Sequence, residues 1–321
     1  MYDTFFEFLR NAQKITVIQA ENPDGDSLGS ALALDYLLKD KDITLYCPVD
    51  IPKYLRYFED WSRITNEFPE NQDAYIIVDT AAEVLLSKIL DQPHAKQALE
   101  NTPVLVLDHH ETKDDITFNH ESIIEPLPSC CTLIYKIAKS QNLEINKTAA
   151  EYLFQGIMSD TLGLTTESVT ADDFRIAADL IDCGANVAEL ENRRKEFMKK
   201  SQRILSYKAD LIKRIEYHLD GQLATVHIPY EDITEYSDEY NPNVLILEEM
   251  RLVEGVKVAV AIKTYPDGKV TGKIRTDVPI ADQIAGYFGG GGHPFAAGFR
   301  TYDTNYEEIR KELVKVTYET L

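Results

Sequence analysis

The sequence predicts an α/β protein. Its N-terminal domain reads as a mostly parallel sheet with helices on both faces, and it is followed by a helical linker and a smaller α+β C-terminal domain. Three observations lead there. Short β-branched runs alternate with helical patterns through the first half, which is the signature of a parallel sheet covered on both sides. A charged stretch without Gly or Pro spans 186–217. From about residue 219 the apolar runs change to the alternation of strands with one buried face. The expected boundaries are 1–185, 186–217 and 218–321.

Taken in order, "MYDTFFEFLRNAQKI" reads as an amphipathic first helix, without the basic start and apolar stretch of a leader. "KITVIQA", "ITLYCP", "AYIIVD", "VLVLD" and "SIIEP" read as short buried strands. After residue 129, "CCTLIYKIAKSQN", "KTAAEYLFQGIMSD" and "ADDFRIAADLIDCG" read as helices. In the last third "LATVHIP", "KVAVAIKTY" and "KVTGKIRT" are strands, and "PIADQIAGYF" and "NYEEIRKELVKVTYETL" are helices.

Composition narrows the function. The 321 residues suit two domains, each with its own core. There is no run of 18 apolar residues, so no membrane span is expected. The net charge of −21 argues against gripping long duplex nucleic acid, which takes many Lys and Arg contacts to phosphate. It leaves room for a short nucleotide held by a few groups. Most of this charge serves as a solvated acidic surface. Cys47, Cys130, Cys131 and Cys183 have neither disulfide-framework nor metal-site spacing, which points to reduced thiols and a cytoplasmic location.

Four segments place Asp or His where an element ends. "NPDGD" offers Asp24 and Asp26, which in an extended loop point the same way. Asp79 follows "AYIIV", while Asp108, His109 and His110 follow or close "VLVL". Asp160 stands in "GIMSDTLGL". Read singly, each has a plainer account: a turn for Asp24, helix caps for Asp79 and Asp160, surface positions for the histidines. Together they gather carboxylate and imidazole at the carboxyl ends of strands, where open parallel sheets collect ligands. Such a donor set without thiolate suits Mn²⁺ or Mg²⁺. A cation would also offset the repulsion among buried carboxylates.

The C-terminal domain adds "GGGGHPFAAG" at 289–298, and Arg275 precedes it on a strand. Successive glycines let backbone N–H groups approach an anion, so Gly290, Gly291, Gly292 and His293 read as an anion or nucleotide clamp. Arg275 suits a bidentate contact to phosphate.

"NPDGD", Asp79, "DHH", "SDT" and the later "GGGGHPFAAG" together resemble the DHH/DHHA1 phosphoesterases, over nearly the whole chain. Among these the chain looks most like the compact branch acting on nanoRNA and 3′-phosphoadenosine 5′-phosphate, with cyclic-dinucleotide phosphodiesterases close by. The resemblance implies two Mn²⁺ ions. Asp24 would serve the first; Asp26, His109 and Asp160 would serve the second; Asp79 would bridge both. His110 would face the scissile phosphate, with Asp108 supporting the histidine pair. Arg275 and the Gly289–His293 loop would hold the far end of a short oligonucleotide or nucleotide, and a homodimer is implied. The family's usual histidine four residues before the first aspartate is Ala20 here. The first ion therefore lacks an imidazole and is expected to be the weaker, which leaves a catalytically weakened nucleotide sensor as the alternative.

Overall fold

The computed structural model describes residues 2–111 and 114–321. The chain divides into two compact units, Met1–Met198 and Lys199–Leu321.

In the first unit, helix α1 (Asp3–Leu9) precedes a five-stranded sheet of β1 (Lys14–Ile18), β2 (Asp42–Tyr46), β3 (Ala74–Val78), β4 (Val104–Asp108) and β5 (Glu121–Ile124). The strand order is β2-β1-β3-β4-β5 and every pairing is parallel. The helices are α2 (Gly25–Leu37), α3 (Ser87–Leu90), α4 (Pro93–Asn101), α5 (Cys130–Ser140), α6 (Lys147–Asp160), α7 (Ala171–Asp182) and α8 (Val187–Phe197). The apolar runs of β1, β3 and β4 are buried throughout because both faces are covered. Ile76, Val78 and Leu105 pack with α2, α5 and α6, and Ile77, Val104 and Val106 pack with Leu86, Ile89 and Leu99. Register brings the strand ends to one edge. Ile77 pairs with both Ile18 and Val106, and Val78 pairs with Leu107, so the chain leaves β1, β3 and β4 side by side.

Helix α2 is buried along nearly its whole length, and small residues make that geometry feasible. At Gly156 of α6, a Cβ would lie 2.2 Å from Cys131 Sγ and 3.1 Å from Asp26 Oδ1. At Gly25, it would lie 2.2 Å from Ser159 Oγ. The "GDSLGSALAL" composition thus lets α2, α5 and α6 approach closely around Asp26.

The second unit holds α9 (Gln202–Lys213), α10 (Tyr230–Tyr236), α11 (Pro242–Arg251), α12 (Ala281–Tyr287) and α13 (Tyr306–Thr320). Its strands are β6 (Glu216–His218), β7 (Leu223–Ile228), β8 (Val258–Thr264), β9 (Val270–Thr276), β10 (Gly291–His293) and β11 (Ala296–Thr301). They form a mixed sheet in the order β10-β11-β9-β8-β7-β6. One face packs on α12 and α13 through Ile274, Ile284 and Leu313; the other packs on α9 and α11 through Ala261, Leu211 and Ile246.

Two features depart from the sequence reading. The stretch 186–217 is two helices, not one continuous connector. Leu190 of α8 joins the first unit's core, and Ile204, Tyr207 and Leu211 of α9 join a core of the second. Ser201 caps α9 through Ile204 N–H. The glycine run is also partly strand: β10 and β11 form a hairpin across Pro294 and Phe295.

Candidate metal centre

Asp26 is the second residue of α2, in its first turn, and is fully buried. Both of its carboxylate oxygens accept backbone N–H groups from the start of α5: Oδ2 from Cys130 at 2.5 Å and Oδ1 from Cys131 at 3.0 Å. Ser129 caps α5 through Thr132 N–H, so the free N–H groups of the first turn point at Asp26. Burial, the largest influence, still raises its pKa, against the opposing effects of His109 and the Cys131 N–H.

Asp79 directly follows β3 at φ 65°, a left-handed conformation unusual outside glycine, asparagine and aspartate. Its N–H donates to Leu107 O at 2.8 Å, which locks the strained turn to the end of β4. Its Oδ1 is buried and has no hydrogen-bond partner. Burial raises its pKa well above the carboxylate range, and repulsion from Asp26 and Asp24 adds to this.

His109 follows β4. Its Nδ1 is 2.8 Å from Leu127 O, so Nδ1 carries the proton and Nε2 is left as a donor lone pair. That buried Nε2 has no hydrogen-bond partner. It lies 3.3 Å from Asp79 Oδ1, 3.6 Å from Asp160 Oδ2 and 3.8 Å from Asp26 Oδ2. Asp160, the last residue of α6, has its pKa raised to about 7, first by burial and then by Asp26. Asp26, Asp79 and Asp160 thus surround one imidazole nitrogen, and among the described residues none of the three pairs with a Lys or Arg.

These atoms fit a divalent cation. Asp26, His109 and Asp160 offer one set of donor atoms within 4.8 Å of one another, and Asp79, His109 and His110 offer a second. Unpartnered buried acceptors converge on a point with no Lys or Arg among the described residues to neutralise them, which is the condition a bound metal relieves. In this geometry His109 is common to both sets, and Asp79 belongs to one of them.

Asp108 is buried and accepts from the N–H groups of His109 and His110 and from His110 Nδ1, the last at 2.7 Å. Burial pushes its carboxyl up, but these bonds outweigh it and leave the pKa lowered. The same bond to Asp108 is the largest influence on His110 and raises its pKa.

Asp24 is exposed and outside both donor sets. Its Oδ1 accepts from Asp26 and Ser27 N–H as the N-cap of α2, which leaves Oδ2 outside those bonds. Ala20 is buried, and its carbonyl accepts from Cys47 Sγ at 3.5 Å. The residues that sequence reasoning missed are the backbone groups: Cys130 and Cys131 N–H, Leu127 O and Leu107 O. The N-cap signature of "PSCCT" is the one signal for the first two. A cavity of about 580 Å³ also borders Ser159, lined by Tyr57, Phe154, Met158, Leu162 and Leu190.

In the second unit, Arg275 pairs with Ala296 across β9 and β11, and His293 pairs with the same Ala296 across β10 and β11. Directly opposed residues share a face. His293 and Arg275 thus flank one methyl group on one side of the sheet. Gly292 has φ 145°, and a Cβ there would lie 2.6 Å from Ala296 O. At Gly290, one would lie 2.2 Å from Gly298 O. Gly291 is the exposed strand residue between them.

Residues 14–157 match the DHH family, N-terminal domain, and residues 233–319 match the DHHA1 domain. The bifunctional oligoribonuclease and PAP phosphatase NrnA of Thermus thermophilus is 28% identical over 311 residues, covering 92% of this chain and 89% of that protein. A probable manganese-dependent inorganic pyrophosphatase of Streptococcus equi subsp. equi is 26% identical over 174 residues, covering 53% and 55%. The crystal structure of an exopolyphosphatase-related protein from Bacteroides fragilis matches with a TM-score of 0.85 at 21% identity, over 99% of this chain and 94% of that one, and so shares the fold. The chain thus carries the N-terminal domain of the DHH family followed by a DHHA1 domain.

Proposed function

We propose that the chain is a divalent-metal-dependent phosphoesterase that cleaves short oligonucleotides and 3′-phosphoadenosine 5′-phosphate. The observation that carries this is the convergence of Asp26, Asp79 and Asp160 on the unpartnered Nε2 of His109. Asp26, His109 and Asp160 would hold one ion. Asp79 would serve a second, which the Oδ2 of Asp24 would have to complete without an imidazole from position 20. Mn²⁺ is the expected ion. When bound, a pair of such ions lowers the pKa of water and offsets the charge that develops on phosphoryl oxygens.

The chain's own residues do the rest. The Cys130 and Cys131 N–H groups fix both oxygens of Asp26, and Leu127 O fixes the His109 tautomer. Asp108 lies 2.7 Å from His110 Nδ1 and raises the pKa of the ring, which suits His110 to give a proton to a phosphoryl or leaving oxygen. The cavity beside Ser159 is of nucleoside size and largely apolar in its lining. Arg275, His293 and the glycine hairpin, taken by themselves in the second unit, suit a nucleotide phosphate.

The test is hydrolysis. The purified chain with Mn²⁺ is offered pApA, 3′-phosphoadenosine 5′-phosphate and cyclic dinucleotides, and products are resolved by chromatography. Mononucleotide from pApA and AMP from the bisphosphate are expected. Binding of these compounds without turnover would favour the sensor reading, for which Ala20 is the specific observation.

A further inference from the structure

Gln19 is fully buried, and neither its Oε1 nor its Nε2 has a hydrogen-bond partner. Among the described residues, no other side chain has two such atoms. A carboxamide oxygen accepts and its nitrogen donates, so burying the group with neither bond made loses the hydration of both atoms without return. The protein places this unsatisfied group at one particular point of the sheet.

The Gln19 N–H continues the ladder past the end of β1 by donating to Tyr46 O at 3.0 Å. Ile18 pairs with Tyr46 on one side and with Ile77 on the other. One residue on, Gln19 stands between Cys47 and Val78, and Asp79 follows Val78 directly. By strand alternation Gln19 shares the face of Val17, and Val17, Cys47 and Val78 all belong to the core that α2 covers. The order β2-β1-β3 reverses between β1 and β3, which is where open parallel sheets hold ligands. Gln19 thus lies in that crevice, on the strand that leads to Asp24 and beside the strand that leads to Asp79. Both carboxylates have an oxygen to offer: Asp79 Oδ1 is buried without a partner, and Asp24 Oδ2 stays outside the capping bonds of α2. Position 20 adds only a methyl group.

We propose that Gln19 Oε1 is a ligand of the ion that Asp24 and Asp79 would serve, in the place left open by the methyl group of Ala20. The inference rests on the metal-dependent phosphoesterase reading and deepens it. A carboxamide supplies a neutral, hard oxygen, which suits Mn²⁺ and Mg²⁺ and brings none of the preference for Zn²⁺ that an imidazole adds. This ion is the looser of the two, because its protein ligands are oxygens and the other ion has His109. With Oε1 on the ion, Nε2 is left to donate to water or to a phosphate oxygen.

The test uses the full chain and the variants Gln19→Met and Gln19→Glu, without substrate. Methionine keeps an unbranched side chain of similar length and lacks both amide atoms. Two readouts are taken: thermal unfolding of the chelated protein, and Mn²⁺ bound per chain by equilibrium dialysis. The wild type should bind two ions. Without metal, Gln19→Met should unfold at the same or a higher temperature, since two unmade hydrogen bonds are removed. It should hold the looser ion about tenfold more weakly and the tighter ion as before. Gln19→Glu should unfold at a lower temperature without metal, because it adds a carboxylate to an uncompensated set, and should hold the looser ion more tightly. Wild-type affinity for both ions in Gln19→Met, or a wild type that binds one ion only, would overturn the assignment. A lower metal-free Tm in Gln19→Met with both ions retained would overturn it too, by marking the amide as structural. No substrate enters these measurements. A wild type that binds two ions and hydrolyses nothing would lose the phosphoesterase reading, and release of the looser ion by Gln19→Met would still establish Gln19 as its ligand.

Discussion

His109 Nε2 stands 3.3 Å from Asp79 Oδ1, and both atoms are buried without a hydrogen-bond partner. An unmade hydrogen bond at a buried polar atom costs about 1–3 kcal/mol. Two such atoms facing each other, with Asp26 and Asp160 beside them, are in place for a cation. The strained φ of Asp79 and the Leu107 carbonyl hold one atom there; the Leu127 carbonyl holds the other.

Asp79→Asn separates charge from backbone. Asparagine tolerates the left-handed conformation at position 79, so the fold should survive. Activity and most metal binding should be lost. Thermal unfolding and metal content after dialysis check this together; near-normal turnover at saturating Mn²⁺ would remove Asp79 from the centre.

Metal binding should depend steeply on pH. The pKa of Asp160 is raised to about 7, and those of Asp26 and Asp79 are raised as well. Without metal, these groups favour the folded state below their unfolded values near 4. That contribution is lost as pH rises through the folded value, which for Asp160 is about 7. Ligand carboxylates must shed these protons to bind, so metal affinity rises over the same window. The Tm increase on adding Mn²⁺ should be several degrees larger at pH 8 than at pH 5.5. Equal increases would mean that other groups hold the ion.

Gly156→Ala tests the packing behind the centre. Its methyl group meets Cys131 Sγ and crowds Asp26. Overpacking of this kind costs about 1–3 kcal/mol. Chemical denaturation should show that loss, together with weaker metal binding. The loss of stability without any change in metal affinity would mean that Asp26 is not a ligand.

Ala20→His adds the imidazole that the motif lacks. Position 20 is buried, so the metal-free variant should be less stable by about 1–3 kcal/mol. With Mn²⁺, activity should reach half-maximum at about tenfold lower metal, a gain of the size that supporting residues provide elsewhere. Superimposable Mn²⁺ titrations would mean that the first site is already complete or is not used.

Much of this was legible in the sequence because the N-terminal sheet is parallel. Fully buried strands read as continuous apolar runs, and their carboxyl ends mark the site. The runs "AYIIV" and "VLVL" alone put Asp79, Asp108, His109 and His110 at strand ends, which is where the structure has them. The holders of Asp26 were not, since Cys130 and Cys131 act through backbone N–H groups that every residue but proline has. The sequence reads Asp24 as a ligand; its Oδ1 caps α2, a second role that the same carboxylate fills in many helices, and Oδ2 stays outside those bonds. The run "GGGGH" reads as a loop in sequence because glycine has little strand propensity, and its pairing in the β10–β11 hairpin shows only in three dimensions. The break between α8 and α9 contains neither Gly nor Pro, and Ser201 alone marked it.

Metal removal tests the central claim most directly. The protein is stripped with chelator, dialysed and assayed on pApA, then titrated with Mn²⁺ while metal content is measured alongside. The buried carboxylate–histidine cluster predicts no hydrolysis by the stripped protein and recovery that tracks bound Mn²⁺, with His109→Ala neither binding the ion nor recovering. Full hydrolysis by the stripped protein, or by His109→Ala, would contradict it.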